Sequence, residues 1–104
     1  MKTNVYAQIP KHAAQELFTE LLSTEQVRIE RIVSFGQASP EGFWYEQAES
    51  EWVLLLEGSA QVRMGDQLLD LVPGDYLTIP SGTPHRVEKT DENGRTVWLA
   101  VFCK

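Results

Sequence analysis

The sequence predicts an all-β domain, an antiparallel sandwich or barrel, preceded by one short helix. Three observations predict it. From residue 27 onward, short β-prone runs recur at about 8–12-residue spacing, each closed by turn-forming residues. No helical pattern lies between those runs, which removes parallel βαβ folds. Helical periodicity is confined to residues 10–22, where Ala14, Leu17, Phe18, Leu21 and Leu22 form one apolar face and Pro10 suits a first turn. With 104 residues the chain holds one core. The expected organisation is an arm and helix over residues 1–26, packed on a β-domain over residues 27–104.

Residues 27–33 alternate apolar with charged side chains, the signature of a half-buried strand. Ser39, Pro40 and Glu41 mark a loop, and Phe43 to Gln47 reads as the next strand. Residues 52–56, Trp-Val-Leu-Leu-Leu, are apolar on both faces and predict an interior strand. Gly65-Asp66 predicts a tight hairpin between residues 60–64 and 67–72. Pro73-Gly74-Asp75 leads into a strand at 76–79. Another strand begins at His85, and Asp91 to Gly94 turns the chain into a last strand at 96–103. That makes about eight strands.

Composition narrows the class of partner. Apolar residues make up 42% and charged residues 23%, an ordered globular balance. The net charge of −6 disfavours nucleic acid and anionic membrane surfaces, both of which select a surplus of Lys and Arg. The longest apolar run is far below the roughly 20 residues that span a bilayer. The first residues lack the apolar segment of a signal peptide. These features predict a cytoplasmic protein. The single cysteine, Cys103, has no internal disulfide partner and is expected as a buried, inert thiol.

Chemistry concentrates in two stretches. Pro80, Gly82 and Pro84 restrict the backbone just before His85 and so mount an imidazole, the side chain best suited to metals and to proton transfer near neutral pH. Upstream, Tyr45 and Gln47 share a strand face, and Glu51 opens the next strand. Paired strands bring Tyr45, Gln47, Glu51 and His85 into one interior cluster. His12, Glu46, Glu49 and Glu57 read as solvated charges, and Arg31 and Arg63 as outward-facing. Trp52 lies opposite Glu51 and points away from the interior, so its apolar face needs cover from the helix or from a second copy. A homodimer is expected.

The spacings Gly74-x5-Pro80-x-Gly82-x2-His85 and Tyr45-x-Gln47-x3-Glu51-x6-Gly58 resemble the two motifs of the cupins, with Lys89 in place of the second motif's final Asn. The resemblance covers residues 27–102 and implies a jelly-roll β-barrel. It also implies a site for a divalent metal, Zn, Fe, Mn or Ni, usually held by three histidines and a glutamate. In this chain only Glu51 and His85 keep those identities. Tyr45 and Gln47 stand at two histidine positions, and Ser39 replaces the leading glycine. Three readings follow. Either Gln47, Glu51, His85 and Tyr45 hold a metal and act on a small polar substrate, with Tyr45, Glu51 and His85 able to move protons. Or the same four hydrogen-bond one another in a metal-free pocket for a small-molecule ligand. Or the pocket is that of a metal-free enzyme such as an isomerase, with His85 as base and Tyr45 as acid.

Overall fold

The computed structural model describes residues 2–104. Eight strands follow one another: β1 (Leu17–Ser23), β2 (Val27–Ser34), β3 (Ser50–Glu57), β4 (Ala60–Met64), β5 (Gln67–Leu71), β6 (Tyr76–Ile79), β7 (His85–Thr90) and β8 (Thr96–Cys103). They pair in two sheets, ordered β1-β2-β8-β3-β6 and β5-β4-β7, and every pairing is antiparallel. The expected continuous barrel is therefore two facing sheets. The predicted interior strand, β3, is fourth of the five in the larger one, with β8 on one side and the edge strand β6 on the other. Its alternation sends Glu51, Val53 and Leu55 inward and Trp52, Leu54 and Leu56 outward. Val53, Leu55, Ile79, Trp98, Ala100 and Phe102 meet Ala60, Val62 and Leu71 of the smaller sheet in one core.

The predicted helix over residues 10–22 is absent. Residues 17–23 form strand β1 instead, paired along β2 from Leu17↔Val33 to Ser23↔Arg28. Thr24 accounts for the difference. Its hydroxyl accepts the backbone N–H groups of Gln26 (3.2 Å) and Val27 (3.0 Å), and its own N–H donates to Val27 O (2.8 Å). Such a turn folds the preceding residues back as a hairpin and satisfies the edge of β2, a tertiary gain that helical periodicity does not register. Among the described residues no helix is long and apolar enough to cross a membrane.

Three further expectations change. Phe43 to Gln47 forms no strand; Tyr45 alone makes a bridge, to His85. The carbonyls of this segment go elsewhere. Arg86 donates to Ser39, Pro40 and Phe43 O, Gly82 N–H donates to Gln47 O, and Ser81 Oγ donates to Ala48 O. Cys103 is exposed rather than buried, because it ends β8 on the outward register beyond Val101. Arg31 does lie on the outer face, but it is buried there under the N-terminal segment, donating to Val5 O (3.1 Å), Ala7 O (2.7 Å) and Thr19 Oγ1 (3.3 Å). Of the glutamates expected as solvated, Glu49 pairs with Arg28 and Glu57 with Arg95, both at the surface.

Gly58 ends β3 at φ +90°, and a Cβ there would lie 2.6 Å from both Arg95 O and Thr96 Oγ1. Neither the conformation nor the space admits a side chain. Gly58→Ala should cost about 2–3 kcal/mol in a urea unfolding titration. A midpoint equal to that of the unaltered protein would contradict this packing.

Candidate functional site

His85 owes its position to the turn that precedes it. Thr83 N–H donates to Pro80 O (3.1 Å), and Gly82, at φ +76°, sends its N–H to Gln47 O (2.8 Å). The turn thus locks onto the segment that carries Tyr45 and Gln47. His85 then exchanges both backbone hydrogen bonds with Tyr45, at 2.7 and 2.9 Å. Its side chain is buried between the sheets. Nδ1 lies 3.0 Å from Thr83 O, an acceptor only, so Nδ1 carries a proton. Nε2 faces Glu51 Oε1 at 3.4 Å.

All four residues singled out in the sequence meet at one cavity. Glu51 is buried at the start of β3, and its Oε1 accepts a hydrogen bond from Gln47 Nε2 (3.0 Å). The Tyr45 ring lies alongside His85, with centroids 5.6 Å apart and planes inclined by 22°. Phe43 closes on Tyr45 edge-on at 4.8 Å. The cavity encloses about 100 Å³. Its walls beyond the polar end are apolar, chiefly Val53, Val62, Ile79, Val87, Trp98 and Phe102, and it reaches the surface near Phe18.

The sequence offered no sign of one more residue. Glu16 also lines this cavity. Ser34 Oγ donates to Glu16 Oε2 (2.5 Å), and Trp98 Nε1 donates in turn to Ser34 Oγ (3.4 Å). Ser34 is fully buried, so this chain of contacts anchors Glu16 to the core. Periodicity had placed Glu16 on a helix; only the strand pairing of β1 delivers it to the cavity.

Electrostatics follow from this geometry. Burial pushes the His85 pKa down, but the hydrogen bond to Glu51, the Thr83 carbonyl and the Glu51 charge together raise it above the ordinary value. Burial, then the charges of Glu16 and Glu51, raise the pKa of the Tyr45 phenol, which keeps it protonated.

The donor set does not fit a tightly held divalent metal. Among the described residues no group of three or more His, Cys, Asp and Glu side chains converges. The Gln47 amide donates into the carboxylate that would have to bind the ion, and Tyr45 is biased against ionising. No buried side-chain polar atom of the cluster is left without a partner; among the described residues the one such atom is Arg31 Nε, on the far face.

The Cupin domain pattern matches residues 33–102. The chain belongs to the cupin family. A crystal structure from Ralstonia eutropha JMP134, described as a "putative mannose-6-phosphate isomerase", superposes with a TM-score of 0.96 at 42% identity, over 100% of this chain and 98% of that one. A cupin superfamily protein from Desulfitobacterium hafniense DCB-2 matches at 26% identity with a TM-score of 0.76, over 91% and 83% of the two chains. Human 3-hydroxyanthranilate 3,4-dioxygenase is 38% identical over 60 residues, which is 58% of this cupin but only 20% of the human protein.

The raised pKa of His85 sets a pH dependence with a definite sign. A folded-state pKa above the unfolded value of about 6.5 means that the stabilisation is complete below that value and is lost as pH rises through the folded pKa. Urea midpoints measured upward from pH 6 should fall across that window in the unaltered protein. In His85→Asn the same scan should be flatter. An equally steep fall in the variant would show that another group is responsible.

Proposed function

We propose that this cupin is a cytoplasmic small-molecule-binding protein whose cavity carries out proton transfer on its ligand without a resident metal. The observation that carries the reading is the buried Glu51–His85 pair at the polar end of an otherwise apolar cavity. Sites of this kind, largely apolar with a few convergent polar groups, are where proteins bind small ligands. The roles follow from the protons. Nδ1 of His85 donates to Thr83 O and Nε2 faces Glu51 Oε1. The imidazolium Nε2–H is therefore shared with the carboxylate, and the Glu51–His85 pair, not Nε2 alone, exchanges a proton with the ligand. Glu51 stabilises the imidazolium through this direct contact. Tyr45 supplies a proton or a hydrogen bond to the ligand, since its phenol remains neutral over the working pH range.

An acid and a base facing one small cavity suit an isomerisation, in which one proton leaves and another is delivered. The likeness to the Ralstonia eutropha protein supports that class of reaction, though not its sugar phosphate. The dioxygenase likeness points to metal chemistry, but it covers a fifth of that protein and the donors here are two short of the family set.

Metal binding decides between the readings. Protein purified without a polyhistidine tag and dialysed against Fe, Mn, Ni or Zn should retain less than stoichiometric metal after gel filtration. One equivalent retained, and lost in both Glu51→Ala and His85→Ala, would replace this reading with a metal-dependent one.

We further propose that the protein is a homodimer joined through the outer face of the larger sheet. A row of Leu22, Ile29, Val101, Trp52 and Thr78 crosses all five strands without a charge, and Leu54, Leu99 and Tyr76 extend it. Leu22 is 50% and Tyr76 61% exposed, and no helix covers them. A charge-free strip on a chain of net charge −6 matches itself better than it matches the rest of the surface. Sedimentation at micromolar concentration should give a dimer for the unaltered protein and a monomer for Tyr76→Lys combined with Val101→Lys. A monomeric unaltered protein would sink the proposal.

A further inference from the structure

The cavity's charge selects among ligands, an inference that rests on the small-molecule reading above. Two carboxylates line it, Glu51 at the buried end and Glu16 nearer the opening, and no Lys or Arg does. Tyr45 lines the same cavity as both, which places the two charges around one ligand volume. A protonated His85 offsets only one of them. The nearest guanidinium on this side of the sheet is Arg28, 4.2 Å from the centroid of the Phe102 ring. It is already engaged by Glu30 (3.0 Å) and by both oxygens of Glu49 (3.2 and 3.0 Å), so this trio carries a net negative charge of its own.

Glu16 is held ready for a ligand rather than spent on structure. Ser34 Oγ donates to its Oε2, and among the described residues Oε1 accepts nothing. The Ser34–Trp98 contact orients this carboxylate, and the exposed Phe18 ring lines the cavity beside it. Phe18, Trp98 and Phe102 also line the cavity, and aromatic rings tolerate a cation as carboxylates favour one.

We propose that the cavity takes a small ammonium-bearing ligand, with its charge between Glu16 and Glu51 and its carbon skeleton against the apolar walls. Volume bounds the buried part. About 100 Å³ is less than the roughly 150 Å³ cavity known to hold a benzene, so only a few heavy atoms are enclosed and anything longer emerges past Phe18. Anions are disfavoured, because a phosphate or carboxylate entering this cavity would face two like charges, and the one cation there, a protonated His85, is already paired with Glu51. The assignment thus departs from any phosphorylated substrate.

Four probes matched in size test it: propylammonium, 1-propanol, propionate and propyl phosphate. Binding is read on the full chain from the NMR signals of the Trp98 indole N–H and the His85 ring. Propylammonium is expected to bind at least about tenfold more tightly than 1-propanol, with the two anions weaker than the alcohol. Glu16→Gln should reduce the ammonium-to-alcohol preference by about tenfold. Propionate or propyl phosphate binding as tightly as propylammonium would overturn the charge assignment while leaving the pocket intact. So would a preference unchanged in Glu16→Gln. If none of the four probes moves either signal, the small-molecule reading itself falls and takes this inference with it.

Discussion

A buried carboxylate is the constraint around which this small protein is arranged. Glu51 sits between the sheets, where an unpaired charge would cost several kcal/mol. Its compensation comes from Gln47, four residues upstream in an irregular loop, and from His85, far along the chain on β7. Each of those is tied to the other through the turn at residues 80–84, where Gly82 holds Gln47 and Thr83 holds His85. The loop bearing Tyr45 has almost no strand pairing to fix it. It is fixed by Arg86, whose guanidinium meets the carbonyls of Ser39, Pro40 and Phe43. Removing His85 therefore disturbs the charge, the turn and the loop together, by roughly 3–5 kcal/mol on the scale of broken buried ion pairs. Removing the neutral Gln47 amide costs about 1.5–3 kcal/mol, the scale of a hydrogen bond to a charged group.

Strand β3 joins this site to the outside of the molecule. Its inward residues carry the carboxylate and the core, while Trp52 and Leu54 carry the apolar strip on the opposite face. A contact made through that strip would press on the strand that holds Glu51. The period of two along a strand makes the two surfaces inseparable in sequence.

The likeness to other cupins is a likeness of positions. The motif spacing places four side chains at one end of a cavity, whatever their chemistry. Exchanging two imidazoles for a phenol and an amide replaces two metal donors by an amide that donates to Glu51 and a ring that lies alongside His85. What the cluster then offers is an acid, a base and negative charge. The whole chain superposes on the Ralstonia eutropha protein with a TM-score of 0.96, whereas the chemistry of the site has to be taken from the residues of this chain.

Much of this was determined by the sequence alone, wherever a local rule was enough. Turn residues and two-residue alternation placed seven of the eight strands. The spacing of Pro80, Gly82 and His85, with that of Tyr45, Gln47, Glu51 and Gly58, identified the four residues that meet. What only the tertiary structure decided were the features that depend on pairing across the chain. Residues 17–23 carry a helical pattern, and pairing along the free edge of β2 overrode it. Tyr45 sits on a loop because side chains and turns claim the carbonyls around it. Cys103 is exposed by its register at a strand end. Glu16 belongs to the cavity only because β1 lies beside β2, a relation between residues more than ten apart that no local pattern carries.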